Sequence, residues 1–272
     1  FENKIISQKI LEKNLAQALS QFSYSASNTN APYFIEFVKK QLEENYPREI
    51  LVSEGLRIFT TLDMFRQRAA ERAVGTWLAQ MEHDRADLKK MLEAGQFLES
   101  GLVALQPGTG FVQAYVGGRD FERNKFDHLS LARRQPGSSF KPFVYAAALK
   151  RDNGEETRFT LATFIPDHPI SFATPQGRWS PKNYGNKFHG NVQMRTALEN
   201  SYNVATTWLA SEIGLEIVVR LAKDAGIRAE LKPYPSLALG SFEVTPLEMG
   251  EAYSIFANQG VRSQAVAIRR VV

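Results

Sequence analysis

Apolar positions recur at helical spacing over residues 5 to 19, at Ile6, Ile10, Leu11, Leu15 and Leu19, and predict an amphipathic helix. SYSASNTNAP, residues 23 to 32, then reads as a polar linker, and PYFIEFVKKQLEENYP resumes a helix that Pro47 closes. The period changes at GLRIFTTLD, residues 55 to 63, where alternation and β-branched side chains predict a strand. DMFRQRAAERAVGTWLAQMEHDRADLKKMLEAG returns to helical spacing as one long or two shorter helices, with Asp63 as the cap and Gly95 as the stop. In GLVALQPGTGFVQAYVGG two apolar runs flank Gln-Pro-Gly-Thr-Gly, the pattern of a β-hairpin. From residue 142 onward helices dominate. In VTPLEMGEAYSIFANQG, Thr245 and Glu248 have the spacing of a capping box, with Pro246 at the first helical position. There is no internal repeat. The sum is a mixed α/β (α+β) fold, an antiparallel hairpin followed by a helix-rich segment.

Composition adds bounds to this picture. The 272 residues, 43% hydrophobic and 23% charged, suffice for one large domain or two modest ones with a sizeable core. The net charge of +4 comes from Lys and Arg scattered among acids, without the dense basic tract of a nucleic-acid surface. The absence of cysteine excludes disulfides and Cys-based zinc sites. The four histidines, His83, His128, His168 and His189, lack ligand spacing and read as surface or core residues. No apolar run approaches the ~20 residues of a membrane helix. FENKIISQKI carries charges where a secretory signal has its apolar core, so the chain reads as a fragment that begins inside a helix.

The candidate chemistry sits in RRQPGSSFKPFVYAAAL, residues 133 to 149. Three residues of helix return two side chains to one face, so Ser138 and Lys141 face each other if a helix begins near Ser138. Gly137 permits a tight entry turn, and Pro142 is tolerated only in a first turn, which sets the helix start at Ser138 or Ser139. There the positive helix end favours an alkoxide and disfavours an ammonium. Desolvation by Phe140, Phe143 and Tyr145 lowers the lysine pKa further. A neutral lysine can take the serine proton and return it to a leaving amine. The tetrapeptide by itself carries little: with 18 serines and 14 lysines, about one Ser-x-x-Lys is expected by chance, and an N-cap serine with a snorkelling lysine reads equally well. Ser201-Tyr202-Asn203, the one Ser-x-Asn, offers a hydroxyl to relay a proton and an amide to hold a substrate amide. Apolar spacing through Ala197, Leu198, Val204, Ala205 and Trp208 equally allows an unbroken helix there, and periodicity does not decide.

Taken together these residues resemble the penicillin-binding proteins, specifically the transpeptidase domain of the bifunctional class A type, whose signature set includes Ser-x-x-Lys and Ser-x-Asn. LVALQPGTGFVQAYVGGRDF, RRQPGSSFKPFVYAAAL, WSPKNY, GNVQMRTALENSYNVAT and LALGSFEVTPLEMGEAYSIFANQGV follow in family order. APYFIEFVKKQLEENY and GLRIFTTLD resemble the connection before the domain. The likeness covers nearly the whole chain and is weakest over residues 1 to 30.

The resemblance implies a D,D-transpeptidase of peptidoglycan synthesis in a penicillin-binding, serine β-lactamase-like fold. Residues 1 to 55 would be a connecting region and 56 to 272 a partial transpeptidase domain. Ser138 would attack a D-Ala-D-Ala stem-peptide terminus, Lys141 would act as general base, and Ser201 with Asn203 would assist proton transfer and positioning. A neighbouring stem-peptide amine would resolve the acyl-enzyme, and β-lactams would acylate Ser138 and linger. No metal or organic cofactor is implied. The location would be the outer face of the bacterial cytoplasmic membrane, with anchoring through N-terminal parts beyond this sequence. Two family features are missing: Lys-Thr-Gly, whose strand supplies an oxyanion-hole donor worth ~10²–10³ in rate, and the acidic motif of a glycosyltransferase domain. A fragment without that strand is expected to be impaired. The alternatives are a D,D-carboxypeptidase and a non-catalytic scaffold in the same fold. Trp179 and Tyr184 read either as groove lining or as loop packing.

Overall fold

The computed structural model describes residues 30–150, 158–174 and 177–272. The helix read over residues 5 to 19 and most of the linker after it lie outside these.

Helix α1 (Pro32–Asn45) opens with proline in its first turn and ends two residues before Pro47, and α2 (Arg48–Ser53) follows directly. Its buried face, Tyr33, Phe34, Val38 and Leu42, packs with Val112, Tyr115 and Leu129. Phe37 stacks on the Tyr115 ring at 4.8 Å. Strand β1 (Ile58–Thr60) falls inside the alternating GLRIFTTLD. Asp63 then caps α3 (Met64–Asp84), its carboxylate accepting from the backbone N–H of Phe65 and Arg66, and α4 (Ala86–Glu93) runs up to Gly95 in a left-handed turn. The long helical pattern is thus two helices.

The hairpin consists of β2 (Leu102–Leu105) and β3 (Val112–Val116), paired antiparallel with a bulge at Ala104/Leu105. Both faces of β3 are covered: Ala114 and Val116 meet Ala70, Val74 and Leu78 of α3, while Tyr115 belongs to the α1 cluster. Gln67 of α3, 1% exposed, completes the strand's hydrogen bonding by donating to Tyr115 O (3.0 Å) and accepting from Tyr115 N–H (2.7 Å). A side-chain amide here does what a neighbouring strand would do, because it carries the same donor and acceptor as a peptide.

After residue 140 helices dominate as expected, but short strands that the periodicity does not show come between the first of them and the rest. Helix α5 (Lys141–Leu149) is followed by four short strands: β4 (Phe164–Asp167), β5 (Phe172–Thr174), β6 (Gly177–Trp179) and β7 (Gly190–Gln193). β4 pairs with β7 and β5 with β6, both antiparallel. Only then come α6 (Met194–Glu199), α7 (Asn203–Ile213), α8 (Leu215–Asp224), a 3-10 turn (Pro235–Leu239) and α9 (Pro246–Ala257). The Thr245/Glu248 capping box forms with both reciprocal bonds, at 3.2 and 2.9 Å. The last strand, β8 (Ile268–Val271), pairs with β1 across more than 200 residues of chain. A large cluster from α5, α7, α8, the 235–239 turn and α9 forms the second core, and it is here that the candidate site lies.

Candidate active site

The segment 133–149 enters its helix through a turn pinned from outside. Arg134 and Val244 exchange two backbone hydrogen bonds at 3.0 Å, and Gly137 N–H donates to Gly240 O at 3.2 Å. Both glycines take positive φ, 57° and 67°, a conformation glycine adopts without strain. A Cβ on Gly240 would stand 2.3 Å from Gly137 O, so that contact requires glycine. The chain then makes one 3-10 turn, Gly137–Phe140, before α5 begins at Lys141. The expected helix start at Ser138 or Ser139 is therefore a 3-10 start, with Pro142 in the first α-turn where its missing N–H costs nothing. Tyr253 of α9 donates to Ser139 O at 2.5 Å and fixes the turn from a third direction.

Ser138 is exposed and Lys141 is 1% exposed. Lys141 sits among residues buried as deeply as itself: Phe140 (1%), Phe143 (0%) and Tyr145 (2%). Its ammonium reaches the second constellation, donating to Ser201 O (2.6 Å), Ser201 Oγ (2.9 Å) and Asn203 Oδ1 (2.6 Å). Three of the four candidate residues are thus joined directly. The fourth, Ser138, shares the lysine's turn but makes no side-chain hydrogen bond among the described residues. Lys141 directs its hydrogen bonds to Ser201 and Asn203 rather than to Ser138.

Ser201-Tyr202-Asn203 is a break between α6 and α7, which settles what periodicity left open. Ser201 has φ 56°, left-handed for a non-glycine residue, and Ser201 and Tyr202 N–H groups bond back to Leu198 and Ala197 carbonyls. Such a conformation costs about 1–3 kcal/mol and persists where surroundings over-determine it. Those surroundings were not read from the sequence. Asn203 Nδ2 donates to Lys182 O (2.8 Å), and Asn183 Oδ1 accepts from the N–H groups of Asn203 (2.8 Å) and Val204 (3.1 Å). WSPKNY is part of the resemblance, but nothing in it singles out Asn183. Trp179 packs near Phe172, with ring centroids 6.2 Å apart, while Tyr184 stands fully in solvent.

Electrostatics follow from this geometry. Every acceptor around Lys141 Nζ is neutral, and burial lowers its pKa from 10.5 to about 8. As an ammonium Lys141 donates all three bonds; as a neutral amine it donates two, and its lone pair can accept from the Ser201 hydroxyl. With a pKa of about 8, roughly a tenth of the molecules carry the neutral amine at pH 7. A desolvated lysine without a counter-charge, one helical turn from an exposed serine hydroxyl and bonded to a second serine, can accept and pass on a proton.

An exposed serine at a helix entrance, a buried lysine one turn on and a Ser-x-Asn turn against that lysine define the class: proteins with the penicillin-binding fold. The sequence comparison narrows it: residues 100–272 match the family described as penicillin binding protein transpeptidase domain. The chain belongs to that family, in its class A branch. It is 32% identical over 278 aligned residues to penicillin-binding protein 2D of Bacillus subtilis, covering 99% of this chain and 37% of the relative. The chain thus spans about a third of the length of such curated relatives. Among solved structures, penicillin-binding protein 1A from Haemophilus influenzae superposes with a TM-score of 0.76 at 23% identity, over 90% of this chain and 49% of that one, a likeness of fold. PonA1 of Mycobacterium tuberculosis in complex with penicillin V gives 0.71 at 25% identity, over 90% of this chain and 63% of that one. Among the described residues no helix is long and apolar enough to cross a membrane.

Proposed function

We propose that this chain carries the acyl-transfer centre of a D,D-transpeptidase that cross-links peptidoglycan stem peptides. Ser138 Oγ attacks the carbonyl between the two terminal D-alanines, and its proton passes to the neutral amine of Lys141. The C–N bond of the tetrahedral intermediate breaks, and the terminal D-alanine leaves with a proton returned through Lys141 and the Ser201 hydroxyl. The amine of a second stem peptide then attacks the Ser138 ester, losing its proton along the same route, and the new amide releases Ser138. The Asn203 side chain accepts from Lys141 and, with Ser201, lines the approach of the substrate backbone. β-Lactams acylate Ser138 by the same first step, and the tethered leaving group blocks the incoming amine. Residues 56–272 belong to this unit and 1–55 to its connection, and the work takes place outside the cytoplasmic membrane, where stem peptides are.

The observation that carries this reading is the buried Lys141 nitrogen, its pKa brought down to about 8, bonded to Ser201 and Asn203. The test is covalent labelling of the complete protein with a fluorescent penicillin, wild type against Ser138→Ala. Label on wild type that disappears in the variant supports the enzyme. An unlabelled wild type favours the non-catalytic scaffold. Product analysis with a stem-peptide substrate, dimer against hydrolysed monomer, separates transpeptidase from carboxypeptidase.

A further inference from the structure

The Ser201–Asn203 turn is held by a buried polar cluster that the acyl-transfer scheme does not use. Asp167, the last residue of β4, has no solvent exposure, and its carboxylate accepts five hydrogen bonds. Two come from Asn183 Nδ2 (2.9 and 2.8 Å), one each from His189 N–H (3.0 Å) and the His189 ring at Nδ1 (2.7 Å), and one from Ala205 N–H (3.3 Å). Asn183, 6% exposed, turns its other end to the N–H groups of Asn203 and Val204, the first two of α7. Tyr202 precedes that helix and offers no side-chain cap, so Asn183 and Asp167 cap α7 from a distant stretch of chain. The His189 ring lies flat on Tyr202, 4.0 Å between centroids with 6° between planes.

We infer that Asp167, Asn183 and His189 are positioning residues for the proposed acyl transfer, holding Ser201 and Asn203 in register with the Lys141 amine. The inference rests on the transpeptidase reading. Each residue of the Ser-Tyr-Asn segment is gripped from outside it: Tyr202 by the His189 ring, Asn203 by Asn183, Lys182 O and Lys141, and Ser201 by Lys141. Ser201 keeps a left-handed backbone that a bare loop would relax, and a buried carboxylate held by four donor groups is stiff because each bond is charge-assisted. A fully satisfied buried network of this kind specifies one geometry. Misplacement of a reacting group by about 1 Å costs on the order of 10² in rate, so the cluster's contribution appears in the chemical step.

The test measures, in the complete protein well below its melting temperature, the pre-covalent Kd and the limiting acylation rate for a penicillin. Asn183→Ala removes both the cap of α7 and one of the four donor groups on Asp167. The expected result is a limiting rate lower by on the order of 30-fold with Kd within about threefold of wild type. His189→Phe keeps the stack on Tyr202 and loses only the Nδ1 bond; its side chain is 34% exposed, so the fold tolerates the change even where Asn183→Ala does not. It should lower the limiting rate by roughly 3- to 10-fold. A limiting rate within twofold of wild type in the folded variants, or a loss carried by Kd alone, overturns the positioning role. A wild-type protein that is not acylated at all overturns the transpeptidase reading beneath it.

Discussion

Lys141 is the base of the proposed acyl transfer, and its burial has a thermodynamic signature. Its folded pKa of about 8 lies below the ordinary 10.5, so between these values the unfolded chain binds more protons than the folded one. Stability contributed by this group therefore rises with pH across that window, by up to about 3 kcal/mol, and the group penalises folding below it. Lys141→Met, of similar length and uncharged, removes that slope. Urea denaturation of both proteins from about pH 7.5 to 10.5 should show the wild type gaining on the variant as pH rises; parallel curves would mean the lysine is not desolvated. The same substitution removes the proposed base and should lower penicillin acylation by about 10²–10⁴. Gly240→Ala probes the neighbouring turn. Its Cβ would meet Gly137 O at 2.3 Å with φ at 67°, so a loss of about 1–3 kcal/mol in chemical denaturation is expected, together with slower acylation at Ser138.

At the scale of elements, what was legible in the sequence is what local chemistry dictates. Asp63 and the Thr245/Glu248 pair were readable because a cap satisfies N–H groups two or three residues away. The hairpin around Gln-Pro-Gly-Thr-Gly was readable because its turn residues are contiguous. β4 and β7 were not: Phe164 pairs with Gln193, and strands of four residues without turn signals leave no periodic trace. The break at Ser201 was equally hidden, since its cause is Asn183, reaching in from eighteen residues upstream. The site divided the same way. Ser138 and Lys141 were found together through their spacing, whereas the bonds from Lys141 to Ser201 and Asn203 span about 60 residues and follow only from the tertiary fold. Thr245→Ala tests the most local of these devices. It removes the acceptor for Glu248 N–H in a buried capping box, and a loss of about 1–2 kcal/mol is expected by thermal or urea unfolding. An unchanged midpoint would mean that packing alone holds α9 in place.

Across the whole molecule, two of the three hydrophobic clusters meet on the hairpin, and the third is built from α5 to α9. α1 and α3 cover the two faces of β3, and α9 joins the hairpin to the Ser138 segment: it packs on β2, its capped start follows Val244, which is bonded to Arg134, and its Tyr253 bonds Ser139 O. The Ser138 turn thus stands on a framework anchored at both ends, while the Ser-Tyr-Asn turn opposite it is anchored through Asp167 and Asn183. Preorganisation of this kind places a hydroxyl, an amine and an amide before any substrate arrives, which is how a site converts binding into rate. In the proposed acyl transfer the Lys141 amine must lose its proton before Ser138 reacts. The direct measurement is the limiting rate of Ser138 acylation by a penicillin in the complete protein, followed from about pH 6 to 10. The expected profile is a rise of about tenfold per pH unit that levels off near the lysine's value of about 8. A rate that is flat across the range, or that falls as the lysine deprotonates, would contradict it.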